Sequence, residues 1–330
     1  MDLVIGGTGF LGREITCQLL ERGKKVRTLC RRNADIPKGA ELIIGDITDR
    51  SSLQKACRGI ETVFHTAALP SITVHWQPFY ETNVLGAENV LNACQETGVQ
   101  KLIYTSSASV VFNGRSQPGV DETAPYPSKF LAHYPHSKAI AEKMILDAGL
   151  SPANPLLTCS IRPHVIIGER DRHLIPRLLD RAKKGKLFRV GSGRNMIDIT
   201  FVENAALGHI QAAEALTGKG SPVNGNAYFL SQGEPVNCWE WIDNVLVMKG
   251  LPKVRRSLSL PAAWTLGTAL EVWYKIWRLR GEPVMTRFLA ATLAETHYLN
   301  IAKARQDFGY APVLSMEEGM KRLAAAMRKI

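Results

Sequence analysis

The sequence contains no pair of cysteines spaced like a metal knuckle or a redox motif. Its six cysteines are scattered without any C-x-x-C spacing, at Cys17, Cys30, Cys57, Cys94, Cys159 and Cys238. Reduced thiols and no metal site are therefore expected. A secretory signal is not expected, because the apolar strand at residues 3–5 leaves no room for a charged and an apolar region before it. We expect a cytoplasmic protein, and membrane association stays open as an alternative.

Acidic residues are the minority of the charged residues, with 30 Asp and Glu against 41 Lys and Arg and a formal net charge of +11. The basic excess is concentrated in residues 162–194. No helix-turn-helix, zinc finger or aromatic-interleaved basic motif accompanies it, which argues against nucleic acid as a partner. An anionic cofactor, an acidic substrate or an anionic membrane surface fits the charge better, and a solvated basic face is the structural alternative.

Strand-like and helix-like segments alternate through the first half of the chain. Strands are predicted at residues 3–5, 26–30, 41–45, 62–66, 101–106 and 158–161, and helices at 51–58, at 82–95 and from 134 onward. This alternation predicts an α/β protein with a doubly wound, parallel Rossmann sheet. After His173 the pattern becomes mostly helical, with strands returning near 196–201 and 227–231. We predict a dinucleotide-binding domain at residues 1–165 and a smaller substrate domain at 166–330, with segments near 196–216 returning to the sheet.

The segment GGTGFLG, residues 6–12, lies between the first predicted strand and the first predicted helix. Glycines at 6, 9 and 12 let the backbone turn sharply and approach a pyrophosphate at the helix N-terminus. The strand–turn–helix context makes this glycine pattern a strong indication of a dinucleotide site. Ligands of such sheets bind beyond the carboxyl ends of the strands, where Asp46, Ala67, Ala68 and Pro163 also fall.

An acidic residue is missing from the end of the second strand, where NAD-binding proteins usually carry one to bind the adenosine ribose. Cys30 takes that place, and Arg31 and Arg32 follow it. Two guanidinium groups suit the 2′-phosphate of NADP(H), which an acid would repel. NADP(H) is therefore favoured over NAD(H), and surface arginines after a strand are the alternative.

Tyr134 and Lys138 are four residues apart, where a helix is predicted to begin. Pro135 fits the first turn of that helix, because the missing N–H is no loss there. Residues at i and i+4 share a helix face, so the phenol and the ammonium should point the same way. The spacing alone is more typical of a half-exposed tyrosine beside a solvated lysine. Tyr126 and Lys129, only three residues apart in a proline-rich stretch, are expected to lie in a solvated loop.

Taken in chain order, these motifs resemble the extended short-chain dehydrogenase/reductase family, within it the 3β-hydroxysteroid dehydrogenase branch. The matching motifs are Gly6–Gly12, Gly45–Ile47, Thr66–Ala68, Asn83–Gly86, Tyr104–Ser107, Tyr134–Lys138 and Arg162–Pro163. The stretches at 256–264, 280–288 and 305–312 look most like the bacterial 2-alkyl-3-oxoalkanoate reductases of long-chain olefin biosynthesis. YPHSK and residues 193–208 look nearer the steroid and sterol-4-carboxylate enzymes.

The resemblance implies an NADPH-dependent oxidoreductase that reduces the 3-keto group of a lipid-like 2-alkyl-3-oxoalkanoate to the 3-hydroxy acid. The alternative is a 3β-hydroxysteroid or sterol-4-carboxylate 3-dehydrogenase with the same active site. A nucleotide-sugar epimerase and a non-catalytic dinucleotide-sensing protein are less favoured.

The resemblance also implies roles for individual residues. Tyr134 would protonate the alkoxide, and Lys138 would lower the pKa of that tyrosine. Ser107 would hydrogen-bond the substrate oxygen, and Asn83 would support Lys138 through backbone and water. The predicted cofactor-binding residues are Gly6, Thr8, Gly9, Phe10, Leu11, Gly12, Arg31, Arg32, Asp46, Ile47, Ala67, Ala68, Tyr134, Lys138 and Pro163. His164 and His297 are further candidates for the cleft, although structural roles are favoured for both.

Residues 261–278 are too short and too polar for a membrane span, because Glu271 and Lys275 interrupt the apolar run. An apolar stripe of Ala263, Leu266, Leu270, Trp273 and Trp277 is expected on one side of a helix, with polar residues on the other. Such a stripe is most often part of a core or a homodimer interface. The alternatives are a lid over a lipid tail and peripheral contact of residues 261–280 with a membrane.

Overall fold

The computed structural model describes residues 1–329, apart from the side chain of Lys329. The strands are β1 (Asp2–Ile5), β2 (Val26–Cys30), β3 (Glu41–Ile44), β4 (Thr62–His65), β5 (Lys101–Thr105), β6 (Gln117–Val120), β7 (Leu157–Pro163), β8 (Ile166–Ile167), β9 (Arg189–Val190), β10 (Met196–Ile197), β11 (Thr200–Phe201), β12 (Asn226–Leu230), β13 (Val236–Asn237), β14 (Ser257–Leu258) and β15 (His297–Leu299). The helices are α1 (Phe10–Glu21), α2 (Arg50–Cys57), α3 (Gln77–Phe79), α4 (Gly86–Thr97), α5 (His133–Leu150), α6 (Leu174–Lys183), α7 (Val202–Ala215), α8 (Cys238–Met248), α9 (Leu260–Ile276), α10 (Arg287–Ala294), α11 (Ala302–Phe308) and α12 (Met316–Lys329).

The main sheet has seven strands in the order β12-β7-β5-β4-β1-β2-β3, and neighbouring strands are parallel throughout. This confirms the predicted doubly wound Rossmann sheet. Strands β1, β2 and β3 lie side by side in chain order, and β4 then pairs with the other edge of β1. The switch between β1 and β4 opens a crevice at the carboxyl ends of these strands, where ligands of such sheets bind.

Apolar clusters cover both faces of the main sheet. One cluster joins the strands to α1 and α7, as shown by Ile15 and Ile210, which are buried within it. The other cluster joins the strands to α2, α4 and α5. The segment predicted to return to the sheet thus includes α7, whereas β12 adds a further strand from the second half of the chain. A third cluster lies within residues 165–327 and contains the fully buried Trp239.

The helix predicted at residues 82–95 is interrupted. A π-helical turn occupies Tyr80–Leu85, and the regular helix α4 begins only at Gly86. Gly86 packs directly on the loop after β3, where a Cβ atom would come within 2.6 Å of the Ile47 Cδ1 atom. A π-turn inside a helix shifts the following side chains and often occurs at functional sites. Here it carries Asn83, one of the predicted site residues.

Candidate active site

The glycine turn between β1 and α1 is closely packed against itself and against the turn after β4. Gly6 has a φ of +91°, and a Cβ atom on Gly12 would lie 2.3 Å from the Gly6 carbonyl oxygen. Gly9 is the N-cap of α1 and gives the helix no side-chain hydrogen bond. The first N–H groups of α1 are therefore left for an anionic ligand. The turn fits the pyrophosphate of a dinucleotide, because any side chain at these glycines would occupy the space.

The other predicted cofactor residues lie around this turn with different degrees of exposure. Leu11 and Ile47 are buried in the apolar clusters, so only their backbones are available to a ligand. Asp46 uses its Oδ1 atom to accept hydrogen bonds from the Thr48 N–H and hydroxyl, which fixes the turn after β3. Thr8, Phe10, Ala67 and Ala68 are half-buried, whereas Pro163 is buried at the end of β7.

Arg31 and Arg32 follow β2 directly, and both side chains are exposed. The ion pairs found within residues 1–329 include neither of them. Two cationic groups without acidic partners therefore stand at the carboxyl end of β2, one strand away from the glycine turn.

Tyr134 and Lys138 occupy the first turns of α5, as predicted. Lys138 is 2 % exposed, and its Nζ atom donates a hydrogen bond to the Thr105 carbonyl oxygen at the end of β5. The ammonium also lies 4.1 Å from the centre of the Tyr104 ring. Burial lowers the pKa of Lys138 to about 7, and the nearby Glu142 carboxylate acts against this shift.

Ser107 lies beside Tyr134, at the start of the short 3-10 helix Ala108–Val111 that follows β5. Burial raises the pKa of Tyr134, and a hydrogen bond from Ser107 acts in the opposite direction. The Lys138 ammonium donates to the Thr105 carbonyl oxygen, and burial penalises the phenolate form of Tyr134. A lowering of the tyrosine pKa by Lys138 stays a prediction.

Asn83 is buried and ties the π-turn to α5. Its Oδ1 atom accepts from the Leu69 N–H at 2.7 Å, and its Nδ2 atom donates to the Ser137 hydroxyl at 2.9 Å. Ser137 in turn donates to the Tyr134 carbonyl oxygen at 2.8 Å. Asn83 thus contacts the residue next to Lys138 rather than Lys138 itself. The π-turn, the loop after β4 and the first turn of α5 are held as one unit.

Sequence reasoning missed a buried ion pair one helical turn beyond Lys138. Glu142 accepts two hydrogen bonds from Arg162, 2.7 Å from Nη2 and 3.0 Å from Nε, and also binds the Ser160 hydroxyl. Tyr126 donates to the same carboxylate at 2.7 Å, so its expected place in a solvated loop is wrong. The spacing could have revealed Glu142, because Tyr134, Lys138 and Glu142 are four residues apart and so share one face of α5.

His164 and His297 form a pair. The His164 Nε2 and His297 Nδ1 atoms are 3.0 Å apart, and the two rings lie at 51° to each other. Burial lowers the pKa of His164 to about 4 and that of His297 well below its ordinary value. Both rings are therefore neutral at pH 7. Each histidine is the hydrogen-bonding partner of the other, which the sequence did not reveal.

A cavity of about 270 Å³ lies next to the start of α5. Its lining residues come from the loop after β4, from the segment before Tyr134 and from α9 and α10, and they are Ile72, Thr73, Val74, Phe130, Leu131, Ala132, His133, Glu271, Val272, Lys275, Thr286 and Arg287. Six of these twelve side chains are apolar, and the other six are polar or charged. Glu271 is bound to Arg287, with the Arg287 Nη2 atom 2.7 Å from a carboxylate oxygen, so Lys275 contributes the unbalanced charge.

The family model of the 3-beta hydroxysteroid dehydrogenase/isomerase family matches residues 3–262, which is most of the chain. The chain belongs to this family. It is accordingly an oxidoreductase of the NAD(P)-dependent short-chain dehydrogenase/reductase class. The resemblance inferred from the motifs is confirmed.

Two relatives within the family illustrate the range of named activities. A 2-alkyl-3-oxoalkanoate reductase of Shewanella oneidensis is 40 % identical over 330 residues, covering 98 % of this chain and 85 % of the relative. A decarboxylating sterol-4-alpha-carboxylate 3-dehydrogenase of Mus musculus is 37 % identical, covering 97 % of this chain and 88 % of the relative. Both names describe substrates with a carboxylate near the oxidised or reduced carbon.

The fold is shared with solved structures of the wider superfamily. The crystal structure of gox2253 superposes with a TM-score of 0.80 at 27 % identity, covering the whole of this chain and 98 % of that one. No helix within residues 1–329 combines the length and the apolar character needed to cross a bilayer.

Proposed function

We propose that this family member is an NADP(H)-dependent reductase of the 3-keto group of lipid-like 2-alkyl-3-oxoalkanoates. The observation that carries the proposal is the placement of Tyr134, Ser107 and Lys138 together near the carboxyl end of β5. A cavity with a half-apolar lining lies at the start of α5, where His133 precedes Tyr134. The relatives named as 2-alkyl-3-oxoalkanoate reductases support the substrate class.

The cofactor would be held by the glycine turn, by the residues after β3, β4 and β7, and by Arg31 and Arg32. When bound, NADPH supplies the hydride that reduces the carbonyl carbon. The two exposed arginines support NADP(H) over NAD(H), because a guanidinium can pair with the adenosine 2′-phosphate. The acid that would bind the ribose of NAD(H) is also lacking at this place. Lys138 anchors the strand end at Thr105 and places a cation beside the phenol.

Tyr134 acts as the general acid in this proposal. Its raised pKa keeps the phenol protonated at pH 7, which is the form that can donate a proton to the oxygen of the developing alkoxide. The Ser107 hydroxyl donates a hydrogen bond to the same oxygen and holds it near the phenol. Asn83 and Ser137 keep the first turn of α5 in position for both contacts.

The substrate domain, residues 166–330, supplies the outer wall of the cavity through α9 and α10. The inner wall comes from residues 72–74 and 130–133 of the first domain. Apolar lining suits alkyl chains, and the charge of Lys275 suits the carboxylate next to the keto group. This placement of the cavity supports the proposed division at residue 165.

The second candidate function is oxidation of a 3β-hydroxysteroid or a sterol 4-carboxylate by the same residues. It is favoured by the identity to sterol-4-alpha-carboxylate 3-dehydrogenases. In that direction the same residues act in reverse, and Tyr134 would accept the proton of the substrate hydroxyl.

A paired assay separates the two functions. NADPH oxidation is followed with 2-alkyl-3-oxoalkanoates of increasing chain length, and NAD(P)⁺ reduction with a 3β-hydroxysteroid and a sterol 4-carboxylate. Each buried methylene contributes about 0.8 kcal/mol, so kcat/KM should rise by up to about fourfold per methylene in the first assay. A flat response to chain length together with brisk steroid oxidation would assign the second function.

A further inference from the structure

Helix α9 carries its large apolar side chains on the outside of the molecule. Trp273, Ile276 and Trp277 are 55 %, 69 % and 61 % exposed, although such side chains normally drive folding by burial. With Leu266 and Val272, which are also exposed, they form a continuous stripe at helical spacing that we call the outer face of α9. Only Ala263 and Gly267 of this helix are buried.

The outer face is held rigidly in place by polar contacts on the inner side of the helix. Glu271 accepts from both the backbone N–H and the guanidinium of Arg287. Just beyond the helix, the His75 Nε2 atom is 2.9 Å from the Leu279 carbonyl oxygen. Glu271 thus fixes the inner side of α9, and the large apolar side chains of the outer face are presented to the surroundings.

Cations surround the outer face. Residues 261–280 contain Lys275, Arg278 and Arg280 and a single acid, Glu271, which is already bound by Arg287. Just beyond the segment, Glu282 is paired with Arg177 of α6 at 3.0 Å, so these two charges balance, and Arg181 of α6 lies near the same carboxylate. The exposed charge around the apolar stripe is therefore positive.

We propose that the outer face of α9 docks onto the surface of an anionic lipid membrane. Tryptophan side chains are suited to the boundary between lipid headgroups and acyl chains, and Lys and Arg beside them attract anionic headgroups. The helix would lie in the plane of the surface without crossing it. Trp273 and Trp277, whose ring centres are 5.6 Å apart, would enter the lipid together.

A second copy of the chain fits this face less well. A symmetric dimer through the outer face would bring the same patch of both copies together. Lys275, Arg278 and Arg280 would then face an identical set of cations, without an unpaired acid in the segment to compensate them. An anionic lipid surface satisfies both the apolar stripe and its basic margin.

The docked face adjoins the candidate active site. Val272 belongs to the outer face and also lines the cavity at the start of α5, and Lys275 and His133, the residue before Tyr134, line the same cavity. A lipid-like substrate could therefore pass from the membrane into the cavity without crossing water. This delivery role rests on the proposed function, whereas docking itself does not.

The test is co-flotation of the full chain with lipid vesicles. Vesicles of phosphatidylcholine alone are compared with vesicles made of equal parts phosphatidylcholine and phosphatidylglycerol. Each basic side chain near an anionic surface contributes about 1 kcal/mol, so partitioning into the mixed vesicles should be stronger by about tenfold or more. Equal partitioning into the two vesicle types, or none into either, contradicts the proposal.

Matched variants locate the contact. The double variant Trp273→Ser/Trp277→Ser should lower partitioning into the mixed vesicles by about tenfold or more, because two large apolar side chains leave the lipid. Arg278→Glu/Arg280→Glu should remove the preference for mixed vesicles. The controls are Val313→Ser, which removes an equally exposed apolar side chain, and Lys143→Glu, which reverses an exposed charge on α5. Both controls should bind as the wild type does.

Intrinsic fluorescence gives a second readout of the same contact. Of the six tryptophans, Trp273 and Trp277 are exposed, whereas Trp239 and Trp241 are buried and Trp76 and Trp264 are half-buried. Brominated lipids in the mixed vesicles should quench part of the emission, and the double tryptophan variant should lose that quenched part. Unquenched emission from vesicle-bound protein would place the contact elsewhere and overturn the proposal.

Sedimentation velocity identifies the competing occupant. A dimer that dissociates in Trp273→Ser/Trp277→Ser, without vesicle binding by the wild type, would assign the outer face to a second copy. An active enzyme that does not bind vesicles overturns docking alone. An inactive chain that binds the mixed vesicles leaves docking intact and counts against the proposed function.

Discussion

Tyr134 and Lys138 lie on one face of α5, and burial shifts their pKa values in opposite directions. Tyr134 is kept protonated by partial burial, whereas Lys138 is so deeply buried that its ammonium is only just stable at pH 7. The proposed chemistry depends on the phenol having a proton to donate.

Removal of the phenolic hydroxyl tests the role of Tyr134. Tyr134→Phe should retain NADPH affinity and lose about 10²-fold or more in kcat, the usual scale of general acid–base catalysis. Tyr126→Phe is the control. It also removes a phenolic hydroxyl, but this hydroxyl donates to Glu142 and is not the one beside Ser107. Steady-state kinetics and NADPH titration measure both variants. Full activity of Tyr134→Phe would return this tyrosine to a structural role.

Cofactor preference is also decided by single residues. We expect NADPH to bind more tightly than NADH by about 2 kcal/mol, the scale of one or two charge-assisted hydrogen bonds. Arg31→Ala should remove much of this difference, and fluorescence titration with both cofactors measures it. Arg58→Ala is the control, since this exposed arginine lies at the opposite, amino-terminal edge of the sheet, just before β4. An unchanged ratio in Arg31→Ala would remove the basis for NADP(H).

At the scale of elements, the buried pair Glu142–Arg162 joins α5 to β7 directly below the catalytic turn. Burial alone would raise the pKa of Glu142, but the Arg162 charge and three hydrogen-bonding side chains hold it below its ordinary value. A carboxylate with a depressed pKa stabilises the fold above its unfolded pKa of about 4.5. That contribution is lost as the pH falls through the folded value.

Glu142→Gln should therefore lower the free energy of unfolding by roughly 3–5 kcal/mol at pH 7, because it leaves the Arg162 charge buried without a partner. The difference from the wild type should shrink below about pH 4.5, as the wild-type carboxylate becomes protonated. Urea denaturation at several pH values measures this. Glu318→Gln, in an exposed pair with Arg322, should change stability by less than about 1 kcal/mol. Equal effects of the two substitutions would contradict the account.

The crossing of α9 and α10 depends on Gly267. A Cβ atom at this position would lie 2.6 Å from the Thr286 carbonyl carbon and 2.8 Å from the Arg287 nitrogen. Gly267→Ala should cost about 1–3 kcal/mol of stability and displace the outer wall of the cavity. We expect kcat/KM for the acid substrate to fall while the NADPH dissociation constant stays unchanged. Gly218→Ala, with nothing within 4 Å of the added carbon, is the neutral control.

Elements defined by local pattern could be predicted from the sequence, and those defined by packing could not. The glycine turn and the strand ends depend on short-range spacing, so the sheet and most cofactor candidates followed from the chain alone. The π-turn at Asn83 and the Glu142–Arg162 pair depend on residues that are distant in sequence. Only the tertiary structure brings these partners together.

At the scale of the whole molecule, the apolar stripe of α9 is divided between the core and the surface, so an interface and its alternatives stay predictions. Of the predicted apolar stripe, Ala263 is buried and Leu270 packs on the core, but Leu266, Trp273 and Trp277 are exposed. Periodicity predicts an amphipathic helix but not which side faces the protein. That choice is made by Glu271, which binds Arg287 across the helix pair. The same helix thus lines the cavity and carries the apolar face that we propose to contact a membrane.

The central claim is that this chain reduces the 3-keto group of a 2-alkyl-3-oxoalkanoate with NADPH. The most direct measurement supplies NADPH with deuterium at both C4 positions and analyses the acid product by mass spectrometry. The account predicts one deuterium at C3 of a 3-hydroxy acid from wild-type protein and a loss of about 10²-fold or more in its rate of formation by Tyr134→Phe. Unlabelled product, or no hydroxy acid from any chain length while a sterol substrate is turned over, would contradict it.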